Sequence, residues 1–223
     1  MGWDVGWDVG GKSVSTVPLS RGMGWTMATR CATLAAMDDS PPWLTGQLLL
    51  ALPGVGDPRF DRAVLAMVRH DEDGALGIAI GQPHAALTMA DVLGQLKIDP
   101  GAVGAVPVLD GGPVERQRGF VIHSRDWAGV DAVDVAGRWM VSSSPDVLRA
   151  IADGRGPSQW HFALGYAGWD AGQLESEFAR HAWHAAPARA ELLFDVPPHE
   201  RWSAAFASVG VDARLLSAEG GRA

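Results

Sequence analysis

The sequence predicts an α+β fold in a single domain, and three observations carry that reading. Short apolar runs of strand length are interleaved with capped amphipathic stretches, but no regular βαβ repeat links them. The chain has 223 residues, enough for one complete hydrophobic core. Its balance of 47% hydrophobic and 20% charged residues is that of an ordinary globular protein.

The elements follow in order. Gly46 to Leu52 is a short apolar run, the pattern of a buried strand, stopped by Pro53-Gly54. Asp57-Pro58 opens a single helical turn or loop. Ala63 to Arg69 and Ala75 to Ile80 are two apolar runs joined by His70-Asp71-Glu72-Asp73-Gly74, which predicts a hairpin because Gly tolerates positive φ. Thr88 caps a helix with Val92, Leu93 and Leu96 on its apolar face, ended before Pro100. Pro107 to Leu109, Gly119 to His123, Arg138 to Ser142 and Gln159 to Tyr166 read as strands. Ser144-Pro145-Asp146 starts a helix, with Ser at the cap, Pro in the first turn and Asp on the positive dipole end. A further helix is expected from about Asp170 to His181, a strand at Glu191 to Phe194, and a last helix from Glu200 to Ser208.

The patterned domain spans residues 43–220, and residues 1–42 read as an extension. The extension opens on a tandem repeat, Gly2-Trp3-Asp4-Val5 and Gly6-Trp7-Asp8-Val9, and then lacks any period of 2 or 3.6, the pattern of a disordered or loosely packed segment. Trp3 and Trp7 suit a partner-binding motif; an uninvolved tail is the plainer reading. Met37 stands just before the domain and offers an alternative start.

Charge and cysteine content exclude several classes. The net charge is −8 and no Lys/Arg run occurs, which argues against direct nucleic-acid binding, because such affinity rests largely on cations facing phosphates. Cys31 is the sole cysteine, so neither an internal disulfide nor a cysteine-based zinc site is expected. No apolar run has the 18 or so residues of a membrane span and no secretory signal is visible, so the expected location is the cytosol.

Six blocks then line up: LPGVGDPRF at 52–60, VLAMVRHDEDGALGIAIGQP at 64–83, DGGPVERQRGFVIH at 110–123, SSPDVLRAIADGRGP at 143–157, LGYAGWDAGQLESEFARHAW at 164–183 and ELLFDVPPHERW at 191–202. Together they resemble the AlgH/YqgE family of bacterial proteins over nearly the whole domain. The resemblance implies a large, curved, mainly antiparallel β-sheet flanked by helices. It also implies a family commonly labelled transcriptional regulators, with no agreed catalytic mechanism. Two departures stand out. Val68-Arg69-His70 stands where many relatives carry a Cys before Glu-His, and Gly81-Gln82-Pro83 where relatives often read Asn-Lys-Pro.

Candidate site residues come from three places. Gly165, Gly168 and Gly172 precede a helix, a layout that can offer backbone N–H groups to an anion, although the spacing matches neither dinucleotide nor P-loop patterns. The plainer reading is a tight strand-to-helix turn that packs Tyr166 and Trp169, with Asp170 as the cap. Arg116 and Arg118, after Gly111-Gly112, form the best anion-facing loop; pairing with Asp110 or Glu115 is the plainer alternative. His123 sits at a strand end, where sites are often held. Ser124, Ser142, Ser143 and Ser144 lie outside any G-x-S-x-G elbow, so a hydrolase is not favoured. Glu175 and Glu177 point to different faces of a helix, and Glu177 is expected to pair with Arg180 or His181. His181 and His184 lack an evident third ligand, so no metal is assigned, and no cofactor is indicated.

The sequence therefore predicts a non-catalytic regulatory or binding protein, its partner a small anionic ligand or another protein. The site would gather Gly111, Gly112, Arg116, Arg118, His123, Gly165, Gly168 and Trp169. The alternative is an enzyme acting on a small anionic substrate near Arg118 and His123. The reading of Met37 as the start is checked by intact-mass measurement of the native protein; a mass that includes Gly2 to Ala36 overturns it.

Overall fold

Leu48, Leu49, Leu50 and Ala51 are each at most 1% exposed, because the first strand is covered on both faces. Leu48 and Leu50 enter one core while Leu49 and Ala51 enter another, the period of 2 that a strand imposes. Complete burial of a leucine contributes about 1.5–3 kcal/mol, so this strand alone anchors two cores.

The computed structural model describes residues 43–216; the extension 1–42 and the alternative start at Met37 lie outside the described residues. In chain order the strands and helices are β1 (Gln47–Ala51), β2 (Val64–Asp71), β3 (Gly74–Ala79), β4 (Pro83–Thr88), α1 (Met89–Gln95), β5 (Pro107–Asp110), β6 (Val114–His123), β7 (Val133–Val135), β8 (Trp139–Ser142), α2 (Pro145–Ala152), β9 (Trp160–Asp170), α3 (Gln173–Ala179), β10 (Trp183–Pro187) and α4 (Pro198–Ser208). The fold is α+β, a large, curved, mainly antiparallel sheet with helices on both faces, as the sequence predicts.

The main strand order is β10-β1-β2-β3-β9-β6-β8-β7, with β5 parallel to β9 and β4 antiparallel to β5. One face packs against α4 and a π-helical turn at Glu191–Asp195. The opposite face carries α3 at one end and α1 with α2 at the other.

Strand β9 joins the two ends of the sheet, and Gly165 is where it changes sides. Phe162 and Leu164 face α1 and α2, and Ala163 faces α4. Beyond Gly165 the parity is reversed: Tyr166 turns to the α4 side, and Ala167 and Trp169 to the α3 side. Gly165 has φ +77°, the left-handed region that favours glycine. Opposite it, the pairing of β6 jumps from Val114↔Tyr166 to Gly119↔Leu164, so Glu115 to Arg118 bulge out of the ladder. Gly111-Gly112 crosses this point at backbone contact. A Cβ on Gly112 would lie 2.3 Å from the Tyr166 carbonyl carbon, and one on Gly165 would lie 2.5 Å from the Gly112 oxygen.

Several local expectations are corrected. Glu191 to Phe194 is not a strand but the π-helical turn, since adjacent buried Leu192 and Leu193 fit a short helical segment as well as a strand. The helix expected from Asp170 is shorter, because β9 continues through Asp170. Gly172, at φ +72°, holds the N-cap position, and Asp170 instead donates its N–H to the Gln173 side chain. Gly165 and Gly168 thus lie within a strand, not at a strand-to-helix turn. Ser144 does precede α2, but the Asp131 carboxylate accepts the Ser143 and Ser144 N–H groups, and the Ser144 hydroxyl also donates to it. Strands β4, β7 and β10 were not expected.

The Gly165 crossing predicts a sharp difference between glycines. Gly165→Ala is expected to cost about 3 kcal/mol or more, since it adds a backbone clash to an unfavourable φ. Gly137→Ala, at φ +69° with open space around it, is expected to cost about 1 kcal/mol. Urea melts of the two variants check this, and equal losses overturn it.

Candidate functional site

The glycine crossing opens on one side into a cleft of about 230 Å³. Pro58, Arg59 and Phe60 form one wall; Asp110, Gly112, Pro113 and Arg116 form the other; Ala63, Ala79, Gly81 and Gln82 lie between. The bulge that Gly165 requires is what swings Arg116 out to this wall. Both wall arginines hold acids of their own. Arg59 makes a two-pronged pair with Asp57, at 2.6 Å for Nη2, and this pairing pulls the Asp57 pKa below the usual carboxylate range. Arg116 Nη2 stands 3.5 Å from Asp110 Oδ2. Such exposed pairs contribute only about 0–1 kcal/mol, so either arginine can re-aim at small cost.

An aromatic chain backs the cleft. Phe60 meets the edge of Trp183 at 5.5 Å, and Trp183 meets Trp169 at 5.9 Å. The Glu177 Oε2 atom accepts from both indoles, at 3.0 Å from Trp169 and 2.6 Å from Trp183, while Gln173 donates to Oε1 at 2.9 Å. Glu177 therefore pins α3 to β9 and β10 rather than pairing with Arg180 or His181. Glu175 faces His70 Nε2 at 3.1 Å. His70 Nδ1 accepts from the Leu44 N–H, so the ring proton sits on Nε2 and donates to the carboxylate. Trp43 lies edge-on to this imidazole at 5.1 Å.

The structure brings together part of the residue set that the sequence singles out. Gly112 and Arg116 line the cleft, and Gly111 and Gly165 supply the backbone crossing behind it. Gly168 lies beside the Tyr166 ring, and Trp169 is two rings back from the cleft through Trp183 and Phe60. Arg118 turns away, donating to Glu115 at 3.1 Å and covering the Phe120 ring at 5.3 Å.

His123 is elsewhere. It lies five residues beyond Arg118 on β6, a distance of about 16 Å at strand rise. It is fully buried, with Nδ1 donating to the Ser124 carbonyl at 2.8 Å and Nε2 facing the Ser142 hydroxyl at 3.1 Å. Burial lowers its pKa. The pair has the reach of a base and its alcohol, but both groups are sealed inside the sheet. His181 ends the α3 region at φ +56° and His184 stacks on Phe206 at 5.7 Å. Among the described residues no group of three or more His, Cys, Asp or Glu gathers as metal ligands would.

Sequence reasoning missed Arg201, on α4. It is fully buried, and its guanidinium donates to the Ile80 carbonyl and to the Val196 carbonyl at 2.8 Å; Nη2 also lies 3.0 Å from His161 Nε2, which itself donates to the Leu193 carbonyl at 2.9 Å. No ion pair of Arg201 occurs among the described residues, and its Nε has no hydrogen-bond partner there. Burial lowers the pKa of His161 to about 4, assisted by the Arg201 charge. Helical spacing sets Arg201 one turn before Ala205, which the structure buries on the core face, but a lone arginine there reads as solvated.

Comparison with known proteins shows the family and the fold. A family model described as AlgH-like matches residues 48–214. A UPF0301 protein of Sphingopyxis alaskensis is 63% identical over 187 residues, covering 84% of this chain and all of that protein. The UPF0301 protein AlgH of Pseudomonas aeruginosa is 44% identical over 187 residues, 82% of this chain and 98% of its own. The solution structure of AlgH from Pseudomonas aeruginosa matches with a TM-score of 0.69 at 42% identity, over 84% of this chain and all of that one.

His161 makes stability pH-dependent. Its folded pKa of about 4 lies below the ordinary 6.5, so as pH falls the unfolded chain takes up the proton first. The stabilisation is complete above pH 6.5 and is lost down to about pH 4, by roughly 2–3 kcal/mol. His123, also lowered by burial, acts with the same sign. His161→Asn is expected to flatten the His161 part of this slope in urea melts at pH 7.5 and 4.5; parallel losses in both proteins overturn it.

Proposed function

The chain belongs to the AlgH-like family, and on that premise we propose that it is a non-catalytic regulatory protein that works by binding a small anionic ligand in the Arg59–Arg116 cleft. The observation that carries this reading is the presence of two re-aimable guanidinium groups on a cleft of mixed polar and apolar lining, with Gln82 between them. A phosphate or carboxylate suits two convergent arginines, because each offers a planar fork of donors. Phe60, Pro58 and Pro113 leave room for an apolar body next to the charged group.

Binding is favoured over turnover by what the groups can do. Those on the cleft walls are chiefly donors, whereas the histidine–serine pair of His123 and Ser142 is spent on internal hydrogen bonds. Regulation by direct DNA contact fits poorly with a net charge of −8, so a regulatory effect would pass through the ligand or a protein partner. The cytosol is the setting this reading assumes.

Calorimetric titration with inorganic phosphate and pyrophosphate tests the proposal. Saturable binding is expected, weakened about tenfold by Arg116→Ala and similarly by Arg59→Ala, the loss of one charge-assisted contact. Failure of the wild-type protein to saturate at millimolar concentrations of either anion overturns it.

A further inference from the structure

The cleft walls are electrically balanced on their own: Arg59 is matched by Asp57 and Arg116 by Asp110. Arg201 is not. It sits on the opposite face of the sheet, fully buried, and donates to the Ile80 and Val196 carbonyls. One of these is the Ile80 carbonyl, and the next residue, Gly81, lines the cleft.

The peptide unit between Ile80 and Gly81 therefore lies between the buried charge and the cleft. It is trans, as are all peptide bonds among the described residues, so its carbonyl and N–H point in opposite directions. With the Ile80 carbonyl aimed at the Arg201 guanidinium, the Gly81 N–H points away from that guanidinium, and Gly81 itself lines the cleft. A cation on the oxygen of a peptide draws electron density from its nitrogen and strengthens the N–H as a donor, the cooperative polarisation of linked hydrogen bonds.

We infer that the Gly81 N–H is an anion donor of the cleft and that Arg201 is the positioning charge behind it. This rests on the reading of the cleft as an anion site and names the group that gives the site its net positive field. Arg201 touches no ligand; it acts through one peptide unit. In a medium of effective dielectric near 20, an unpaired charge behind the cleft is expected to change anion affinity by about tenfold.

The test is a phosphate titration of the full chain followed by NMR. Inorganic phosphate is expected to move the Gly81 amide proton strongly downfield, together with the Arg116 side-chain signals. Arg201→Gln is expected to weaken phosphate binding about tenfold and shrink the Gly81 shift, whereas Arg201→Lys retains most of both. Phosphate binding that moves Arg116 but leaves Gly81 unmoved at saturation overturns this inference alone and leaves the cleft reading intact. Absence of any phosphate-induced change at Gly81 and Arg116 sinks the cleft reading together with it. If Arg201→Gln fails to fold, the wild-type titration still decides whether Gly81 donates, and Arg201→Met tests the charge: phosphate affinity equal to wild type in that variant overturns the role of Arg201.

Discussion

Everything in this molecule is arranged around the place where Gly111-Gly112 crosses the backbone at Gly165-Tyr166. The Gly111 N–H donates to the Leu164 carbonyl at 2.8 Å, and the Gly111 carbonyl accepts from the Ala79 N–H at 2.8 Å. Three chain segments thus meet with only hydrogen atoms between their backbones, and no side chain fits at the junction. From this contact follows the parity switch in β9, from the switch follows the four-residue bulge in β6, and from the bulge follows the position of Arg116. Apart from Gly172, which holds the N-cap of α3, the glycine-rich block is therefore neither a phosphate loop nor a helix cap. It is the seam along which one strand serves two differently faced halves of a sheet.

The seam also explains how so small a domain holds three cores. A strand of fixed parity has one inner and one outer face for its whole length. By reversing parity at Gly165, β9 presents Phe162 to α1 and α2 and then Trp169 to α3, while Ala163 and Tyr166 remain on the α4 side. The α3 end is then fastened by polar contacts rather than by bulk. Glu177 holds two indole N–H groups on one oxygen, and the His70–Glu175 bond ties α3 to β2. Charged acceptors make the stronger hydrogen bonds, so a seven-residue helix with Leu174 as its one buried apolar residue stays in place.

What the sequence made legible follows the same physics. Strands buried on both faces, such as Gln47–Ala51, announce themselves as unbroken apolar runs, and the hairpin of β2 and β3 announces itself through its polar turn. Strand β4 was hidden because it is an edge: it begins with a proline and most of it is exposed, so neither apolar content nor alternation marks it. The Glu191–Asp195 turn was misread because two adjacent leucines satisfy a strand and a helix equally. For the candidate site, Arg116 and Gly112 were legible as a glycine–arginine loop. The opposite wall at Pro58–Phe60 was not, since it lies more than fifty residues upstream and only the fold brings it across. His123 was drawn toward the site by its place at a strand end, yet the pleat turns it inward to Ser142.

Arg201 shows most clearly why local patterning undervalues a buried charge. A lone arginine in an amphipathic helix reads as a solvated residue, and burying one without a carboxylate is costly unless its hydrogen bonds are met. Here two carbonyls meet part of that need, and Nε goes without a partner. Replacing such a group with a well-packed apolar side chain commonly leaves stability unchanged or improves it, so core stability alone gives little reason for an arginine at this position. A reason does exist in the peptide it touches. Ile80 follows the last residue of β3, and the next residue, Gly81, lines the cleft. A charge placed behind that peptide is shielded from solvent ions, cannot be neutralised by a mobile carboxylate, and acts on the cleft from a fixed direction. Surface arginines such as Arg59 and Arg116 can turn to Asp57 and Asp110 when the cleft is empty; Arg201 cannot, and that permanence is what a binding site for anions requires of its background field.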